Sequence, residues 1–154
     1  MDDIAEQTPS ADSSVDHNWN PEKYKQLVEQ TQNPFLREFE DVEKDYLENK
    51  ITNSRNKTFI DVGAGHGRAL PFIAPPRSRN VICVELDPKM FTGIKEKAKE
   101  YSGITLIQGN ANNLSDLLRG QEVFSPVVMC LQNSLGTWQG DTNEAIAQMR
   151  KVAE

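Results

Sequence analysis

The chain lacks several things that would direct it to particular classes of protein. Among its 154 residues no apolar run approaches the ~18 needed to span a bilayer. Its first residues, Met1-Asp2-Asp3, have neither the basic nor the apolar part of a signal peptide, so a cytosolic setting is expected and no membrane partner. It has only two cysteines, Cys83 and Cys130, both inside apolar, strand-like runs where buried thiols are commonly inert. At this length a sizeable single core is available without disulfide staples. Basic residues are not in excess, at 17 against 23 acids for a net charge of −6. The imbalance comes mainly from residues 1–20, which hold Asp2, Asp3, Glu6, Asp12 and Asp16 and no Lys or Arg, leaving 18 acids against 17 bases in the rest. Neither part would attract a phosphate backbone, which argues against nucleic acid as an obligate partner.

The first 18 or so residues are polar and without hydrophobic period, and a disordered acidic leader over 1–19 is expected. Asn20-Pro21 and Asn33-Pro34 each read as a helix cap followed by proline at the first helical position. Tyr24, Leu27 and Val28 share one helical face; Phe35, Phe39, Val42 and Tyr46 share another. Residues 20–51 are thus expected to form two amphipathic helices that pack on the main domain, with their interleaved acids and bases solvated. The functional alternative makes the first helix a lid, with Tyr24 or Arg37 reaching into a site.

From Lys57 strands and helices alternate. The expected strands are 58–62, 81–85, 104–108 and 127–131. Between them fall short helices at 68–73 and 114–119 and a longer one capped by Asp87-Pro88 and carrying Phe91, Ile94 and Ala98. A last helix, capped by Asp141 with Glu144 and bearing Ile146, Met149 and Val152, closes the chain. Apolar strands separated by helices belong to a parallel sheet covered on both faces, so the fold class is α/β, doubly wound, over residues 57–154.

The sharpest motif is Asp61-Val62-Gly63-Ala64-Gly65-His66-Gly67, between the first strand and its helix. Its glycines suit a tight turn and close ligand approach. A dinucleotide fingerprint would need glycine at 68, where Arg68 stands, and the Gly-Lys-Ser/Thr of a phosphate loop is missing. Glu85 ends the second strand, 24 residues after Asp61. A carboxylate there can accept from both hydroxyls of a ribose. After the third strand, the amide oxygen of Asn110 suits an adenine amino group and the backbone N–H of Ala111 a ring nitrogen. Three strand ends thus converge on one nucleoside, without phosphate-gripping groups.

Together, Asp61-x-Gly63-x-Gly65-x-Gly67, Val84-Glu85-Leu86-Asp87-Pro88, Gln108-Gly109-Asn110-Ala111 and Val128-Met129-Cys130-Leu131-Gln132-Asn133-Ser134-Leu135-Gly136 resemble class I S-adenosylmethionine-dependent methyltransferases over about residues 57–153. The resemblance implies a Rossmann-like sheet in the order 3-2-1-4 for the strands present and S-adenosyl-L-methionine as cofactor. Asp61, Gly63 and Ala64 would hold the methionine part, with Gly65 and Gly67 shaping the loop. Glu85 would bind the ribose, Leu86 pack on the adenine, and Asn110 and Ala111 read its edge. Leu131 and Gln132 would approach the methionine amino group and the acceptor, with Asn133 able to orient the nucleophile or merely to cap a turn. Asn110 departs from the commoner aspartate. His66 is a variable position, read as a partly exposed turn residue rather than a catalytic one. In this strand order Cys83 and Cys130 stand about 9–10 Å apart, beyond disulfide reach.

No metal site and no catalytic constellation stand out, as suits methyl transfer, where alignment and exclusion of water do most of the work. The 131–136 segment resembles that of small-molecule methyltransferases, and the Asn/Asp-Pro-Pro-aromatic signature of amide or nucleobase methylation is absent. A small-molecule acceptor is therefore expected. The family's sheet has seven strands and this chain ends in the helix after the fourth, which would leave a buried-type strand at an edge. A fragment, completion of the sheet by another chain, and a shortened non-catalytic relative all fit. So do three functions: an enzyme, a cofactor-binding module without transfer, and an interaction protein on the same fold.

Overall fold

The computed structural model describes residues 21–49, 51, 54–131 and 140–154. The leader, Asn20 and the 132–139 segment, with Gln132 and Asn133, lie outside the described residues. The framework is a four-stranded, all-parallel sheet in the order β3-β2-β1-β4. Its strands are β1 (Ser54–Val62), β2 (Ser78–Glu85), β3 (Ile104–Gln108) and β4 (Val127–Met129). The helices are α1 (Pro21–Tyr24), α2 (Pro34–Asn49), α3 (Leu70–Ile73), α4 (Pro88–Ala98), α5 (Leu114–Leu117) and α6 (Thr142–Ala153). The expected α/β class and strand order both hold.

Alternation along the central strands builds the two cores. Phe59 of β1 joins Val81 and Cys83 of β2 on one face, under Leu70 and Ile73 of α3 and Phe91 and Ile94 of α4. Ile60, Val62, Ile82 and Val84 turn to the other face, against Leu114 of α5 and Met149 and Val152 of α6. With a side-chain period of two, Asp61 must share the face of Phe59, and Glu85 that of Val81 and Cys83. Parallel register pairs Asp61 with Cys83, which puts the two carboxylates on the same face at neighbouring strand ends. Among the described residues neither cysteine forms a disulfide; Cys83 lies in β2 and Cys130 just past the end of β4, with β1 between those strands.

Caps form where the sequence places them. Asp87 accepts from the backbone N–H of Lys89 and Met90, and Asp141 from those of Asn143 and Glu144. Pro71 sits in the first turn of α3, where its missing N–H costs nothing.

Three expectations need correction. The stripe Phe35, Phe39, Val42 and Tyr46 does not pack on the domain; these residues are 52–80% exposed. The side of α2 that meets the domain carries Leu47, which is buried, with Glu40 and Glu43, which pair with Arg68. Those two glutamates are therefore not solvated, because ion pairing and one leucine, not the apolar stripe, decide how α2 is turned. The third correction is β4, which stops at Met129 with Val127 and Val128 only half-buried. Among the described residues it is an edge strand, paired with β1 alone.

α4 runs close beneath the glycine loop. Gly67 has φ +84°, and a Cβ there would lie 2.9 Å from Ile94 Cγ1 and 3.0 Å from Leu70 Cδ1. Gly67→Ala is expected to cost about 2–3 kcal/mol through left-handed strain and overpacking, read as a lower midpoint in urea unfolding at unchanged slope.

Candidate cofactor site at the strand ends

The site begins with two acids at the carboxyl edge of the sheet. Asp61 is 2% exposed, and burial, then the charge of Glu85, pushes its carboxyl up to about 7. Glu85 is also buried. Its Oε2 accepts from Gly65 N at 2.7 Å and its Oε1 from Asp87 N at 2.8 Å. Burial raises its pKa, and these N–H groups pull it back down. Among the described residues neither acid pairs with a basic side chain.

The loop wraps the end of β2. Gly63 N and Ala64 N both donate to Val84 O, at 2.8 and 3.2 Å. Gly63 and Gly65 take φ of +70° and +59°, a region L side chains avoid. The loop's backbone N–H groups at 63, 64 and 65 are thus spent on β2, and the ligand-facing chemistry of this corner falls to carboxylate and backbone oxygens.

Beyond β3, Asn110 Oδ1 accepts from Asn112 N at 2.9 Å and caps a short 3-10 turn over Ala111–Asn113. Ala111 is buried, and Leu86 half-buried between Glu85 and the cap of α4. The chain returning after β4 closes this corner: Asn112 Nδ2 donates to Asp141 O at 2.6 Å. Leu131 packs against the first core. The structure therefore brings Asp61, Gly63, Ala64, Gly65, Gly67, Glu85, Leu86, Asn110, Ala111 and Leu131 to one edge of the sheet.

Two loop residues behave differently from expectation. His66 is not a partly exposed turn residue; it is 9% exposed. Its ring lies 5.1 Å from that of Tyr24, and Nε2 meets Glu29 Oε1 at 2.7 Å. Burial lowers its pKa more than Glu29 raises it, so a neutral ring donating Nε2–H to the carboxylate is the state the site favours. Among the described residues Nδ1 is then a buried acceptor with no hydrogen-bond partner. Arg68 pairs with Glu40 at 2.9 Å and with Glu43. Sequence reasoning missed these pairs; the only signal was an i, i+3 acid pair on α2, common on solvated helices. Arg37, the other candidate for the lid, lines a cleft of about 500 Å³ between the N-terminal helices and α3, with Lys44, Arg68 and Phe72.

The profile of a family described as "Methyltransferase domain" matches residues 59–154, from inside β1 to the end of α6. This chain belongs to that methyltransferase domain family. Several solved structures share its fold. The amino pentose methyltransferase CalS10 of Micromonospora echinaspora, solved with S-adenosylmethionine bound, superposes with a TM-score of 0.56 at 19% identity, over 86% of this chain and 52% of its own. An S-adenosylmethionine-dependent methyltransferase from Aquifex aeolicus gives 0.56 at 17% identity, over 88% and 68%. The YcgJ protein of Bacillus subtilis gives 0.56 at 18%, over 72% and 47%. The methyltransferase domain described here thus spans about half the length of two of these chains. No curated protein sequence matches. Among the described residues no helix is long and apolar enough to cross a membrane.

The raised pKa of Asp61 has a consequence for stability. The folded chain holds this proton up to about pH 7, whereas the unfolded carboxyl, at its ordinary 3.8, has already lost it. Asp61 therefore costs nothing below pH 4, and its cost grows between pH 4 and 7 by up to about 1.4 kcal/mol per unit. Asp61→Asn is expected to remove that slope, so that denaturant unfolding of the variant gains on the parent from pH 5 to pH 8.

Proposed function

We propose that this methyltransferase domain binds S-adenosylmethionine at the carboxyl ends of β1, β2 and β3 and takes part in methyl transfer to a small-molecule acceptor. The observation that carries this is the acid pair Asp61 and Glu85, buried side by side and, among the described residues, without a basic partner, beside a glycine loop whose N–H groups at 63–65 are bonded to β2. Such a corner rejects phosphate. It suits a ligand with positive charge and hydroxyl donors, and an adenosyl sulfonium with an amino acid tail offers both. The family membership and the fold shared with methyltransferases support the same reading.

In this arrangement Asp61, with Gly63 and Ala64, faces the methionine part, and its charge is stabilised when the cationic ligand arrives. Glu85 accepts from the ribose hydroxyls while its bonds to Gly65 and Asp87 hold it rigid. Leu86 packs on the adenine, and Asn110 and Ala111 meet its edge. Leu131 borders the methyl group and the acceptor, the role that the motif's resemblance also gives to Gln132. When bound, the cofactor supplies an activated methyl carbon for in-line attack. The chain's own task is to align the nucleophile and exclude water. The 131–136 segment and the missing Asn/Asp-Pro-Pro-aromatic signature favour a small acceptor.

Calorimetric titration with S-adenosylmethionine and S-adenosylhomocysteine tests the site. Ionisation of Asp61 on binding should release close to one proton below pH 7, so that affinity for the cation rises up to about tenfold per pH unit between 5 and 7. Glu85→Ala is expected to weaken both ligands by at least about tenfold, the loss of charge-assisted bonds to the ribose. Absence of heat in folded protein, or a Glu85→Ala variant that binds like the parent, would sink the assignment. Turnover against a panel of small amines, carboxylates and thiols then tests transfer itself.

A further inference from the structure

The glycine loop has little stiffness of its own. Gly63, Gly65 and Gly67 all take positive φ, and glycine enters and leaves that region at no steric cost. The end of β2 holds the loop's backbone at 63–65, and the two side chains between and after these glycines, His66 and Arg68, add attachments that both end on the N-terminal helices. After α1 the backbone widens into one π turn, Lys25–Glu29, closed by Gln30 N donating to Lys25 O at 2.9 Å. Such turns are uncommon and change which way later side chains point. Here Glu29 lands on His66 Nε2, beside Tyr24. Pro21 fits over Gly93 of α4, where a Cβ would come within 2.8 Å of its ring, and the same Cβ would lie 3.3 Å from His66 Cβ. α1 is therefore seated on α4 and the loop together. Arg68, itself mostly buried, carries the second attachment through Glu40 and Glu43 of α2.

From these attachments a short bonded path leads to the ligand site. Glu29 holds His66; the next residue back, Gly65, donates its N–H to Glu85 Oε2 at 2.7 Å. We propose that His66 and Arg68 are positioning residues that couple the N-terminal helices to the cofactor loop, so that docking of the helices raises cofactor affinity and cofactor occupancy tightens the helices. The inference rests on the cofactor reading given above. It requires no contact between the helices and the cofactor: the helices restrict the glycine loop, and a restricted loop loses less freedom when ligand binds. By linkage the two effects must be equal in free energy.

The test uses substitutions on the helices alone, so that the loop sequence and its ligand contacts are untouched. S-adenosylhomocysteine affinity is measured for the parent, for Glu29→Gln and for Glu40→Gln with Glu43→Gln, and amide hydrogen exchange is followed with and without ligand. Both variants are expected to bind at least about fivefold more weakly, the lower end of ordinary coupling. Amides of β1 and β2 should exchange in the variants as they do in the parent, which shows the core intact. Ligand should slow exchange across residues 25–49 in the parent and much less in the variants. Glu29→Gln, on the outer π turn, decides the matter if the double variant loses its strand protection. Variants that bind as tightly as the parent, or helices in the parent whose exchange ignores the ligand, would overturn the coupling while leaving the cofactor site standing. A parent that binds no ligand would overturn both.

Discussion

The Glu85 carboxylate joins two loops at once, accepting from Gly65 on the β1 side and from Asp87 on the β2 side. Most of the site follows from that bridge. It fixes how far the glycine loop can lift from the sheet and where α4 starts, since Asp87 is also that helix's cap. It also leaves a second acid, Asp61, one strand away on the same face with its pKa raised to about 7. Parallel register and the two-residue period of strands make this neighbourhood unavoidable: once Phe59, Val81 and Cys83 face the first core, Asp61 and Glu85 must face it too.

Holding two acids together in a buried corner works against the folded state at neutral pH. Local rules broken in this way, without compensation inside the protein, commonly mark places shaped for something else. Among the described residues, the missing compensation is positive charge. The same argument separates this glycine loop from phosphate-binding ones, where backbone N–H groups point at an anion. Here they point at Val84 and Glu85.

The N-terminal helices are attached by polar contacts rather than by a greasy seam. Leu47 is the buried apolar anchor of α2, while Glu29, Glu40 and Glu43 reach the loop residues His66 and Arg68. Partly buried ion pairs of this kind contribute modest net stability but set orientation strictly, because a partner removed leaves a desolvated charge. That is why α2 turns its aromatic stripe outward. It also explains why the pattern of charges along α2, ordinary in itself, matters to a loop more than twenty residues further along the chain.

Much was legible in the residues alone. The strand and helix order, the caps at Asp87 and Asp141, the tolerated Pro71 and the sheet order follow from periodicity, short-range hydrogen bonding and the resemblance of the motifs, all of which act over a few residues. The candidate site was legible for a related reason: in a doubly wound fold, strand ends meet at one edge, so motifs spaced along the sequence are gathered by topology. Long-range choices were not legible. Whether α2 presents Phe39 or Glu40 to the domain depends on Arg68, and whether His66 is buried depends on Glu29 and Tyr24, partners separated from it by some 40 residues of chain. The length of β4 depends on what stands beside it. Sequence periodicity says that a face exists and what it is made of; only the packed structure, where charge pairs, hydrophobic area and glycine's open backbone compete for the same few contacts, decides what that face meets.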